Sequence, residues 1–109
     1  MKYTNFICMM LLFSALIAAC ATSARSLPTA GQLLQSGGVP EGVGRNALKN
    51  GRALAVTQCA GCHRFFYPEE YTPENWALII RRMGKLSSLD KKQAREITQY
   101  FQTASRLSQ

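Results

Sequence analysis

The sequence predicts an all-α fold, and three observations predict it. Three stretches, near 46–58, 72–84 and 87–105, carry apolar residues at helical spacing, the latter two behind recognisable cap signals. No strand pattern precedes the first of them. The third observation is a clustering: two of the four cysteines and the only histidine of 109 residues lie within "CAGCH", Cys59 to His63, where the first helix runs out. A domain over residues 45–109 is therefore expected, three helices gathered around whatever that cluster holds.

The chain opens on a targeting segment. After Met1 and Lys2, the stretch "FICMMLLFSALIAA" is apolar from Phe6 to Ala19 except at Ser14. Fourteen residues fall short of the ~20 that cross a bilayer comfortably, but they match the core of a secretory signal. Residues 1–19 are read as a signal peptide, so the remainder is exported. The run "LIAAC" resembles a bacterial lipobox, which makes Cys20 an acylated first residue and a membrane anchor; cleavage after "ACA" at Ala21 is the alternative. Ala21, rather than Asp, after Cys20 resembles lipoproteins sent to the outer membrane of Gram-negative bacteria. Residues 20–44 are rich in Ser, Thr, Gly and Pro and are expected to be a flexible linker spanning ~25–30 Å, with one helical turn near "GQLLQ".

The first helix contains "GRALAVTQ" and runs into the cysteine pair. The second, within "YTPENWALIIRRMG", is well signalled. Thr72 caps it, Pro73 suits its first position, Glu74 complements the positive end of its dipole and Gly84 is expected to end it. Trp76, Ile79, Ile80 and Met83 fall at i, i+3, i+4 and i+7 and share an apolar, inward face. The third helix lies in "LSSLDKKQAREITQYFQTAS". Ser87 and Asp90 suggest a capping-box start, and Ala94, Ile97 and Phe101 form a core stripe with Tyr100 beside it.

Cys8 leaves with the signal and Cys20 is taken by the anchor, so Cys59 and Cys62 remain, as C-x-x-C-H. A structural zinc site needs four Cys/His ligands and cannot be completed. A redox dithiol wants the pair at a helix N-terminus in a βαβ unit, whereas here it follows a helix. A disulfide would leave His63 unexplained. Covalent haem uses all three residues: each thiol forms a thioether with a vinyl group, and the imidazole binds iron. One haem c is therefore expected on Cys59, Cys62 and His63.

With its flanks, the motif reads G-x-x-L-x-x-x-x-C-x-x-C-H from Gly51 and Leu54, and resembles the N-terminal helix of class I cytochromes c. The resemblance covers about Asn46 to Ser105. It implies a cytochrome c-like domain whose first helix crosses its last one closely at Gly51. Met83 is the only methionine left after signal removal, as His63 is the only histidine, so Met83 is the expected distal iron ligand. Trp76 is expected to pack against the macrocycle. In many class I cytochromes the ligand methionine lies further away and on a loop; here it follows His63 by 20 residues and ends a helix. An open iron is the alternative.

The net charge of +7 calls for anionic partners. The basic residues are scattered, with no aromatic-interleaved basic run and no nucleic-acid motif, so nucleic acid is not the expected partner. Arg81, Arg82, Lys85, Lys91, Lys92 and Arg95 instead cluster around Met83, either as an ordinary solvated face or as a rim that steers an acidic redox protein. The reading is a lipid-anchored, periplasm-facing, single-haem c-type cytochrome that carries single electrons and is not an enzyme. The alternatives are an open-iron haem sensor or peroxidase-like protein, and a haem subunit of a larger dehydrogenase or reductase.

Overall fold

The computed structural model describes residues 25–109, together with Tyr3 and Ile7. The signal reading over 1–19 falls almost wholly outside the described residues, and the acylation reading at Cys20 wholly so. The expected all-α fold is present: α1 (Ala30–Gln35), α2 (Arg45–Gln58), a 3₁₀ turn at Pro68–Glu70, α3 (Pro73–Leu86) and α4 (Lys91–Arg106), with no strand among the described residues. None of the described helices is long and apolar enough to cross a membrane.

The centre of the architecture is the crossing of α2 over α4, with α3 alongside α4 and α1 resting on α2. Gly51 makes the crossing possible. A Cβ built there would collide with the Glu96 carbonyl oxygen and stand 2.7 Å from its carbon and 2.8 Å from Tyr100 Cβ. Only a glycine lets the two backbones meet so closely. Leu48 and Ala55, one turn to either side of Gly51, are buried with it, and Ile97, Tyr100 and Phe101 of α4 complete this layer. Burying side chains of the Leu, Ile and Phe class contributes ~1.5–3 kcal/mol each.

The start of α3 is as the sequence predicts. Thr72 Oγ accepts from the Asn75 N–H (3.3 Å), and Pro73 occupies a position where its missing N–H is no loss. Its end differs. Gly84 does not terminate α3, which continues to Leu86 with Ser87 as cap. Gly84 is buried against Leu89 and Ala94, and the left-handed residue is Ser88 (φ 55°), which allows the Leu89 N–H to return to the Gly84 carbonyl (3.0 Å). Ser87 likewise plays no part in starting α4. Asp90 is the cap, in a reciprocal box with Gln93: the Gln93 N–H donates to Asp90 Oδ1 (2.8 Å) and the Asp90 N–H to Gln93 Oε1 (3.0 Å).

The largest departure is in residues 27–43, part of the stretch 20–44 expected to be flexible, where only the helical turn expected near "GQLLQ" is met, by α1. From Leu27 to Val43 this segment is a docked strap. Thr29 and Gln32 form a capping box on α1, Leu33 is completely buried, and Leu27, Leu34, Val39 and Val43 pack on the core. The buried Tyr100 hydroxyl donates to the Pro28 carbonyl (2.9 Å), and Arg52 Nε reaches the Leu27 carbonyl (3.4 Å). The reason is hydrophobic. Its apolar side chains cover the outer surface of the α2–α4 pair, which a solvated linker would leave wet.

Candidate functional site

Helix α2 ends at the motif. The Cys59 N–H closes the last turn on Ala55 O (3.1 Å), and the chain then leaves the helix so that half-buried Cys59 and exposed Cys62 and His63 edge one cavity. Burial pushes the Cys59 thiol pKa up. The cavity measures about 700 Å³, at the upper part of the ~300–1,000 Å³ range of cofactor pockets. Its opposite walls are Trp76, Ile79, Ile80 and Met83 of α3, with Ile97 and Phe101 of α4. All four residues placed on one face of the second predicted helix thus line this cavity.

The walls are held by specific contacts. The Trp76 indole N–H donates to the Pro68 carbonyl (2.9 Å), and its ring stacks on Phe101 at 4.0 Å between centroids and 23° between planes. Tyr71 meets the same indole edge-on at 5.3 Å. Trp76 is therefore a core residue on one side and cavity wall on the other. Met83 is half-buried on the same wall, one turn before the capped end of α3.

His63 Nδ1 lies 2.7 Å from the carbonyl of Arg64. A carbonyl can only accept, so Nδ1 carries the proton and Nε2 keeps the lone pair available to a metal. The Arg64 guanidinium sits over Phe66 at 4.0 Å and forks onto Glu70, with Nη1 to Oε1 at 3.0 Å and Nη2 to Oε2 at 2.7 Å. Glu70 also accepts from the Tyr67 N–H (2.7 Å). The Arg64 hydrogen bonds, followed by that of Tyr67, lower the Glu70 pKa from 4.5 to about 2. A lowered carboxylate pKa stabilises the fold above the ordinary value, and that contribution disappears as pH falls through the folded value. Thermal melts should accordingly lose stability between about pH 4.5 and 2, while Glu70→Gln starts lower and is flatter over that window. Equal acid slopes for the two proteins would remove Glu70 from the transition.

The donor set discriminates among cofactors. Among the described residues no three Cys, His, Asp or Glu side chains converge as a metal site. What converges is two thiols, one imidazole with a free Nε2 and one thioether around a mainly apolar cavity, a donor set that fits a macrocycle held through thioethers. Sequence reasoning did not single out Phe66 or Tyr71, which also line the cavity. The signal for Phe66 was the aromatic run Phe65, Phe66, Tyr67, which begins two residues after His63.

Six basic residues of α3 and α4, namely Arg81, Arg82, Lys85, Lys91, Lys92 and Arg95, are exposed, and none takes part in an ion pair among the described residues. At the cavity lip Leu86 is 77% exposed. No family model and no solved structure matches the chain. Over 52 residues, 48% of its length, the chain is 35% identical to the cytochrome c-type protein TorY of Haemophilus influenzae, and that stretch spans 14% of the TorY chain. The chain is thus similar, over about half its length, to a short section of a cytochrome c-type protein.

Proposed function

We propose that residues 45–109 form a single-haem c-type cytochrome domain that carries single electrons between redox proteins. The observation that supports this best is that Cys59, Cys62, His63 and Met83 all line one large apolar cavity. Cys59 and Cys62 are the residues that would hold haem c covalently, and His63 Nε2 and the Met83 sulfur those that would hold its iron. When bound, the group supplies a one-electron iron couple, whose potential a methionine opposite histidine raises. The chain's own task is to exclude water, which Trp76, Ile80 and Phe101 do, and to keep Nδ1 of His63 protonated through the Arg64 carbonyl. No catalytic acid, base or nucleophile is part of this reading.

The chain is exported, faces the periplasm and is held to a membrane through acylated Cys20, with the outer membrane favoured by Ala21. These six exposed cations of α3 and α4 steer an acidic partner. Electron-transfer rates measured by stopped flow should then fall steeply between low and physiological salt, and a flat profile would argue for an ordinary solvated face. A haem subunit docked in a larger reductase or dehydrogenase is the second reading, favoured by the exposed Leu86 at the cavity lip.

The decisive experiment is the visible and near-infrared spectrum of the protein matured with haem, in both oxidation states. A low-spin spectrum with a sulfur-to-iron band in the oxidised form is expected, and Met83→Ala should abolish that band and open the reduced iron to carbon monoxide. An unchanged spectrum in Met83→Ala removes Met83 from the iron. A high-spin wild-type spectrum that shifts with carbon monoxide favours the open-iron sensor or peroxidase-like reading.

A further inference from the structure

The strap changes how far the domain can stand from a membrane. If residues 20–44 were a free linker, their fully extended reach would be ~80 Å. In the structure the chain is fastened at Leu27 and Pro28, through Arg52 and the buried hydroxyl of Tyr100, and continues as α1 with Leu33 fully buried. Only residues 21–26 then separate Cys20 from the first fastened carbonyl, a reach of at most about 24 Å. Arg25 tightens this further by lying 3.6 Å from Glu69 and over the Tyr67 ring at 5.4 Å. That exposed pair is weak, so the limit is set by Leu27.

The point of attachment also has a place on the domain. Tyr100 lies nine residues beyond Lys91 along α4, about 14 Å of helix rise from the end that carries the α3–α4 turn with Leu86. We propose that residues 27–44 act as a docked strap that holds the face bearing Arg25, Tyr67 and Glu69 within about 24 Å of a lipid surface, while the α3–α4 turn points away from it. This rests on acylation of Cys20, and deepens that reading from a loose tether to a fixed presentation. The cavity lip then stays available to a partner arriving from the aqueous side.

The test uses the mature, acylated, haem-loaded protein on phosphatidylethanolamine/phosphatidylglycerol vesicles that carry a nickel-chelating lipid. Nitroxides are placed in turn at Glu69, on the face proposed to meet the lipid, and at Ser87, both exposed, and their relaxation enhancement by the surface nickel is measured. Enhancement at residue 69 should exceed that at residue 87 severalfold. A Gly/Ser insertion of about 16 residues between Ala24 and Arg25, outside the packed strap, should remove the difference. Amide exchange at Leu33, whose N–H bonds Thr29 O at 3.0 Å, should be slow with or without vesicles. Equal, weak enhancement at both sites in protein that sediments with the vesicles overturns the strap proposal and leaves the anchor standing. Protein that neither sediments nor takes up a fatty-acid label overturns the anchor, and with it the presentation.

Discussion

Gly51→Ala is expected to lower the stability of the haem-loaded protein by about 2–4 kcal/mol, at or above the upper end of ordinary overpacking effects. In an unpacked helix the same change would stabilise by ~1 kcal/mol, so the sign is decided by the tertiary contact. The atoms that block the new methyl are α4 main chain, the Glu96 carbonyl, together with Tyr100 Cβ at 2.8 Å. Neither belongs to the flexible end of a side chain, so relief requires α2 and α4 to separate. Separation also loosens Leu48 and Ala55 from Ile97 and Tyr100, all fully or almost fully buried. Gly84→Ala is the matched control. It too is a buried helical glycine, but its Cβ would meet Ala94 and Leu89 carbons at 3.7 Å, ordinary van der Waals distance. Denaturant midpoints should therefore drop for Gly51→Ala and hold or rise for Gly84→Ala. Equal midpoints for wild type and Gly51→Ala would mean that the helices do not cross there.

The second large effect is expected from Cys59→Ser/Cys62→Ser, which removes both thiols proposed to hold haem. The variant should show no haem-linked band on a denaturing gel and a substantially reduced far-ultraviolet helix signal. The reason lies in the cavity of about 700 Å³, whose walls of Ile79, Ile80, Ile97, Trp76 and Phe101 would face water without the group that fills it. A domain of this size buries only ~60% of its unfolded surface even when complete, so it has little stability in reserve. Native-like helicity and a cooperative melt in the haem-free variant would overturn this, and would mean that the strap, α2 and α4 suffice as a core.

Local chemistry was legible where one stretch of chain contains all the atoms involved. The cap of α3 at Thr72 and Pro73 is visible in consecutive residues because a helix start is satisfied by its own first turn. The motif Cys59 to His63 is legible for the same reason, as is the shared face of Trp76, Ile79, Ile80 and Met83, which follows from helical period alone. Gly84 misled because a glycine near a predicted helix end reads as a stop. Ser88 takes the left-handed position instead, and Gly84 is an interior, buried residue of α3 with room for a Cβ beside Ala94 and Leu89.

The strap shows the limit most clearly. Its composition is that of a linker, and only the helical turn expected near "GQLLQ" marked α1 in the sequence, which capping by Thr29 and Gln32 then completes in the structure. Nothing in that stretch alone could disclose that Leu33 finds a buried site or that Pro28 supplies the acceptor for a tyrosine 72 residues later. The sequence by itself determined the all-α class, the helix starts and the residue types assembled for haem chemistry, because propensity, capping and period act over a few residues. Only the tertiary structure decided that Cys59, Cys62, His63 and Met83 share one cavity, that Gly51 faces the Glu96 carbonyl and that residues 27–44 are packed, because each depends on surfaces brought together from distant parts of the chain.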